Sequence, residues 1–312
     1  MGGMPKTKFP FSKIACLTET EEKAVAFAEE LRWKGEISCH RCGSTSISRL
    51  PNRPGRYRCR GCCRQFSIRT STPMESSRLP VSVWLRALWL ILSSSKGISS
   101  VKLGEMLGIQ QRSAWFMAHR VRAMMAWAVR EPISGDTVEL DEVYAGAPPR
   151  RKAGGGPTGV RSGRGPRRPL VLTAAARGGE VRFKVIASHG RADIRSAAGD
   201  MIRTAEVFMT DALPAYGFLG DARRSVRHSA KEFARKAPDG SQVHVNTAES
   251  CHADLRRMVL GVHHWISRKH LDLYLCDLAF RRSKRGDDLL ARLRQAVSAF
   301  GRVFYTELVG NR

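Results

Sequence analysis

Residues Thr137 to Gly146 read TVELDEVYAG, a β-branched and apolar run with three acids set into it. As a strand of period two it turns Val138, Leu140, Glu142 and Tyr144 one way, and Glu139, Asp141 and Val143 the other. Burying a carboxylate in a core strand is costly unless something positive compensates it. A divalent cation is the expected partner. A second run, Glu206 to Asp211 (EVFMTD), ends a buried strand of Val207, Phe208 and Met209 at Asp211. Such carboxyl ends suit active-site acids, because the strand fixes the backbone while its end stays open to a ligand. A third acid, Glu249, stands in HVNTAESCHADLRR just inside a predicted helix. Asp141 and Asp211 lie 70 positions apart, and Asp211 and Glu249 a further 38, so only a fold can bring them together.

The chain has 312 residues, 42% of them hydrophobic, enough for a sizeable core in about two or three domains. Lys and Arg number 53 against 28 acids, a formal net charge of +25 that favours a polyanionic partner. Nucleic acid is the first expectation and an anionic membrane surface the weaker one. No run approaches the roughly 18 to 20 apolar residues of a membrane span, and Met1 to Phe11 lacks a signal peptide's apolar core. The reading is of an intracellular protein with reduced thiols.

Taken in order, Thr18 to Trp33 reads as an amphipathic helix capped by Thr18 or Thr20, with Ala24, Phe27, Ala28 and Leu31 as its stripe. Cys39-x-x-Cys42 and Cys59-x-x-Cys62 follow, the spacing of a four-thiolate zinc ribbon. Cys63 is a rival that would lengthen the second knuckle, and His40 reads as a surface residue. Tyr57, Phe66 and Ile68 supply strand residues beside the knuckles. Such a zinc ion is structural, worth on the order of 10 kcal/mol to a segment with few apolar residues. Val81 to Ser94 reads as a buried helix, and Ser99 or Ser100 caps a short one ending at Gly108. Ile109 to Ala128 is a longer helix carrying Arg112, His119, Arg120 and Arg122. That outline is a helix-turn-helix, or three helices packed as ordinary core.

Ala147 to Arg168 holds six Gly, seven Arg or Lys and no acid. It reads as a solvated linker or as a loop that grips DNA through Arg150, Arg151, Lys152, Arg161, Arg164, Arg167 and Arg168. Strands resume at Leu170 to Ala176 and Val181 to Ser188, joined by a hairpin at Gly178-Gly179. A helix over Ala192 to Arg203 leads into the Asp211 strand, and Ser225 to Ser229 adds a short one. The sum is a mixed sheet with helices packed on it.

The stretches CHRCGS, YRCRGCCRQFSIRT, VELDEVYAG, MTDALPAY, HVNTAES and GVHHWISRKHLDLYLCDLAFR together resemble the ISXO-type DDE transposases of bacterial insertion sequences. The resemblance spans about Thr18 to Arg282 and implies an N-terminal zinc ribbon and a ribonuclease-H-like catalytic domain. It also implies a catalytic triad of Asp141, Asp211 and Glu249, with Arg256 where the family usually has a lysine. Two Mg2+ (or Mn2+) ions would be held by the three acids, Asp141 bridging them. Glu249 and Arg256 are seven apart, so they share a helix face. Asn246 and Glu249 also form a capping-box pattern, which would make the acid a helix-start device. Asn246 is the fallback third ligand and Glu139 the alternative to Asp141. His244 is within reach of such a site, and His263, His264 and His270 read as packing or DNA contact.

The expected class is α+β and multidomain: an N-terminal helix over 1–35, a zinc ribbon over 36–78, and a helix-turn-helix-like segment over 79–132. A ribonuclease-H-like domain over 133–284, with the insertion 147–168, and a C-terminal helix over 285–312 complete it. The implied function is metal-dependent cleavage at insertion-sequence ends and strand transfer into target DNA. The expected partners are terminal inverted repeats, target DNA and a second copy or larger assembly, in the cytoplasm on the nucleoid. The rival readings are a DNA-binding regulator that uses only the ribbon and helices, and a structure-specific nuclease of the same fold.

Overall fold

The computed structural model describes residues 9–145, 168–227, 230–298 and 308. The backbone packs as two compact units, one from Met1–Trp127 with Gly286–Arg312, the other Ala128–Arg285.

In the first unit, α2 (Glu21–Trp33) is the helix expected over Thr18 to Trp33, and α1 (Phe11–Leu17), absent from the sequence reading, precedes it. Thr18 ends α1, its hydroxyl donating to the Ile14 carbonyl at 2.7 Å, and Thr20 caps α2 by accepting from Lys23 N–H. The ribbon sheet of β1 (Ile47–Arg49), β2 (Arg56–Cys59) and β3 (Gln65–Ser67) is antiparallel in that order, and it buries Tyr57, Phe66 and Ile68. It packs on α2, where the Trp33 and Tyr57 rings meet edge to face at 5.4 Å and Arg49 pairs with Glu29.

The next helix, α3 (Val81–Ser93), buries Trp84, Leu85, Leu88 and Leu92 against α2 and the C-terminal helix α9 (Leu289–Val297). Pro80 gives α3 no side-chain cap. Its free amides are taken instead by Glu21, sixty positions away, at 2.7 Å from Val81 N and 3.1 Å from Ser82 N. Then come α4 (Ser100–Leu107), capped by Ser99, and α5 (Gln111–Ala128). The turn between them runs through left-handed Gly108 (φ +65), which is why α5 starts at Gln111 rather than at Ile109. Gly104 lets the turn close: a Cβ there would sit 2.9 Å from the Ile109 carbonyl oxygen.

The second unit is built on one mixed sheet. Its strands are β4 (Ile133–Tyr144), β5 (Leu170–Ala176), β6 (Val181–Ile186), β7 (Ile202–Asp211) and β8 (Arg223–Val226), in the order β6-β5-β4-β7-β8. β5 is antiparallel to both β4 and β6, turning into β6 at the expected Gly178-Gly179 hairpin, and β7 and β8 run parallel to β4. The period-two reading holds over Thr137 to Tyr144. Val138 and Leu140 pack under α6 (Arg191–Met201) and the 3₁₀ segment Pro214–Ala222. Val143 packs on the other face with Leu255 and with α8 (Arg268–Ser283). A small hairpin of β9 (Arg235–Lys236) and β10 (Gln242–Val243), absent from the sequence reading, precedes α7 (Asn246–Arg256). A π-helical turn, Arg257–His263, continues α7. Among the described residues no helix is long and apolar enough to cross a membrane.

Gly104→Ala is expected to cost about 1–3 kcal/mol, since backbone rather than a flexible side chain stands in the way. Thermal unfolding should show a lowered midpoint; an unchanged one would mean the α4–α5 turn is looser than this packing.

Candidate active site

Parallel pairing of β4 with β7 sets Leu140 against Thr210, so Asp141 and Asp211 follow side by side, Asp211 as the last residue of β7 and Asp141 three residues before the end of β4. Asp141 Oδ1 accepts from the Glu142 N–H at 3.0 Å, and Asp211 Oδ1 from the Leu213 N–H at 2.9 Å. Burial, then the neighbouring Glu142, with Asp211 and Glu249 adding to it, pushes the Asp141 carboxyl up to about 8. The sheet thus gathers acids that repel one another around a carboxyl with little water to solvate it.

The helix α7 brings Glu249 to this cluster and reads along one face as Glu249, His252 and Arg256. Glu249 and Arg256 are exposed and His252 is buried. The capping-box reading of Asn246 and Glu249 is not realised, because Val245 is the N-cap and makes no side-chain cap bond. The cap comes from Glu139 instead. Its fully buried carboxylate accepts from Thr247 N–H at 2.6 Å, Ala248 N–H at 3.1 Å and the Thr247 hydroxyl at 2.9 Å. Arg177, from the hairpin after β5, pairs with it at 3.0 Å and donates to the Gln242 carbonyl. Glu139 is therefore committed to seating α7, and so is His244, 3.3 Å from Glu139.

Two groups beside Asp141 were missed in the sequence. His252 Nδ1 lies 3.5 Å from Asp141 Oδ2, and its Nε2 is 3.0 Å from the Thr173 hydroxyl on the facing strand. Burial, with Arg256 nearby, pushes this imidazole down to about 4, so it is neutral and cannot balance the acids. Its place three residues after Glu249 was the available signal. On the other face of β4, Glu142 is held by the Tyr216 hydroxyl at 2.6 Å and by His189 Nδ1 at 3.2 Å, with Tyr144 bonded to His189 Nε2. Burial and Glu142 keep the Tyr216 phenol well above its usual range, so it stays a donor.

In the ribbon, Cys39, Cys42, Cys59 and Cys62 have sulfurs all within 4.8 Å of one another, the only such ligand group among the described residues. The Cys39–Cys62 and Cys42–Cys59 sulfur separations are 3.7 and 3.6 Å. A tetrahedron with Zn–S of about 2.3 Å has edges of about 3.8 Å, so the set fits one zinc ion. Cys63 lies outside it, exposed at φ +56, and His40 is exposed.

Residues 132–283 match the family described as ISXO2-like transposase domain, and residues 19–65 match the transposase zinc-ribbon domain. The chain belongs to the ISXO2-like transposases. The transposase domain coincides closely with the second compact unit, and the ribbon domain takes in α2 as well as the cysteines. No curated protein matches the transposase. Membership makes it a DNA-binding protein with a structural zinc ribbon.

The expected DNA contacts of this transposase divide three ways. Arg112 is exposed. Arg120 and Arg122 require correction: Arg120 donates to the Glu75 carbonyl at 2.7 Å, and Arg122 is 4% exposed beside His119. They lie on the inward side of α5, where they tie it to its own unit. Arg150, Arg151, Lys152, Arg161, Arg164 and Arg167 lie outside the described residues, and Arg168 is half-buried before β5.

Two outcomes test this geometry. Cys42→Ser should lose the single bound zinc, measured by elemental analysis of the purified protein, whereas Cys63→Ser should keep it. Glu139→Gln should destabilise the transposase domain by about 3 kcal/mol in urea unfolding, because it removes the negative charge that Arg177 and the α7 amides converge on and leaves Arg177 without its counter-charge; a change below about 1 kcal/mol would remove Glu139 as the seat of α7.

Proposed function

We propose that this transposase cleaves DNA at the ends of an insertion sequence and joins the freed ends to target DNA. Asp141, Asp211 and Glu249 would hold divalent cations, Mg2+ or Mn2+. The observation that carries the reading is the crowding itself: Glu142, Asp211 and Glu249 within electrostatic reach of a half-buried Asp141, beside a neutral His252. Carboxylate oxygens crowded this closely are a hard donor set, of the kind that suits hard divalent ions. Bound there, the cations would steady the entering and leaving oxygens of a phosphodiester and the added charge at phosphorus.

The chain's own residues supply position. The ends of β4 and β7 fix Asp141 and Asp211, and the Glu139 clamp fixes the start of the helix that carries Glu249. Arg256, two turns along from Glu249, would grip a phosphate beside the reacting one through its guanidinium fork. Water attacks first and frees a 3′-hydroxyl at the element's end; that hydroxyl then attacks target DNA, so no side-chain nucleophile is needed. Asn246 begins the same helix and is the second choice for the third ligand. The ribbon and the α4–α5 pair, with Arg112, would read the terminal inverted repeats, with the insertion arginines and Lys152 on the backbone. A homodimer or higher assembly would pair the two ends, on the bacterial nucleoid.

The test is strand transfer from a labelled duplex ending in the flanking inverted repeat into a plasmid. Joined product is expected with magnesium, none with calcium, and a loss of about 100-fold or more in Asp141→Asn and Glu249→Gln with repeat binding kept. Full activity in Glu249→Gln would pass the third place to Asn246. Repeat binding with no cleavage or joining under any metal would leave a regulator.

A further inference from the structure

Trp265 is the most exposed large hydrophobic side chain among the described residues, at 73%, and Leu260 nearby in sequence is 48% exposed. An indole left in water forgoes a large burial gain, and this one is held out by unusual backbone. His264 just before it sits at φ +58, ψ −36, a region costly for a side chain with a Cβ, and the Trp265 N–H donates back to the His263 carbonyl at 2.6 Å. The turn is anchored beneath: the His263 ring meets Tyr274 of α8 edge to face at 4.8 Å, and Tyr274 belongs to the core under the sheet. Around the indole the sequence is cationic, with Arg256 and Arg257 before it and Arg268 and Lys269 after it, all four exposed. Backbone geometry connects the two sites. The Arg257 cap of α7 keeps helical angles (φ −62, ψ −40), so the helix that carries Glu249 runs without a break into the turn that presents Trp265.

We propose that Trp265 is a stacking platform for an unstacked base near a DNA end, with Arg268 and Lys269 on the flanking phosphates. Every base has a π-face that an aromatic ring can cover, but in a duplex that face is hidden by its neighbours. An exposed ring set among cations therefore selects DNA whose end has opened, and it holds that opening while the strand lies along α7. From Glu249 to His263 is about 20 Å of helix, which along one strand of duplex corresponds to about six nucleotides from the reacting phosphate. The platform rests on the proposed action at DNA ends but makes a separate claim, about which base leaves the stack.

The experiment uses the full-length, zinc-loaded protein and repeat-end duplexes carrying 2-aminopurine singly at positions two to eight from the end. Wild type should raise fluorescence at one or two adjacent positions. Trp265→Ala should abolish that rise and weaken binding to a frayed end by about 5- to 150-fold while leaving binding to an internal repeat unchanged. Trp265→Phe should restore most of it, and Arg268→Ala should weaken all substrates alike, lowering the salt slope by about one. Thermal midpoints should match wild type, since the side chain is exposed. A wild type that leaves every position dark overturns the platform, and so does a Trp265→Ala protein that lights the same position. Joining activity is read in parallel: joining without a lit base sinks the platform alone, and a lit base without joining sinks the proposed transposition chemistry alone.

Discussion

The transposase domain depends on one buried carboxylate that takes no part in the proposed chemistry. Glu139 sits at the centre of the sheet with no exposed surface, and it is solvated there by two helix amides, a threonine hydroxyl and Arg177. A charge at that depth is tolerable only because these partners converge on it, and they come from separate elements: the hairpin after β5 and the first turn of α7. Satisfying Glu139 therefore fixes where α7 begins and how its face meets β4. Two positions along the strand, on the same side, stands Asp141. The residue that seats the helix and the residue that the helix serves are thus neighbours on one pleat, and the separation between Glu249 and Asp141 is inherited from a structural ion pair.

Asp141 has the opposite character. Its neighbours are acids and a neutral imidazole, and its carboxyl is pushed up to about 8. Glu139 and Asp141 differ little in sequence surroundings, and one is saturated with donors while the other accepts from a single backbone N–H. A carboxylate left short of positive partners in an otherwise well-satisfied sheet is what the proposed cation site rests on. The same economy shows in the first unit, where Glu21 caps α3 across sixty positions and the ribbon folds on a few aromatic contacts and four thiolates.

The net charge of +25 also changes meaning once partners are known. Arg86 donates to Thr18, Arg32 to the Ile68 carbonyl, Arg182 to the Glu131 carbonyl, and Arg281 to Asp277 within α8. These cations are held by partners inside each unit. The excess of charge speaks for a polyanion, but the arginines nearest a predicted recognition helix need not be the ones that touch it, as Arg120 and Arg122 demonstrate.

By itself the sequence determined what depends on local pattern. The period of Thr137 to Gly146 set which residues face which layer, the cysteine spacing set the zinc ligands, and the glycines at 178–179 and 108 set turns, because each is a constraint among residues a few positions apart. Recurrent motifs carried the family. Tertiary structure alone decided which acid seats α7, since Glu139 and Asp141 share a face and differ only in what folds over them. It also replaced the capping box at Asn246 with a carboxylate from a distant strand, put His252 rather than His244 beside Asp141, and drew Arg122 inside. Each of those outcomes turns on desolvation and on partners remote in the chain, and the energy of a buried polar group is set by neighbours that only the folded chain assembles.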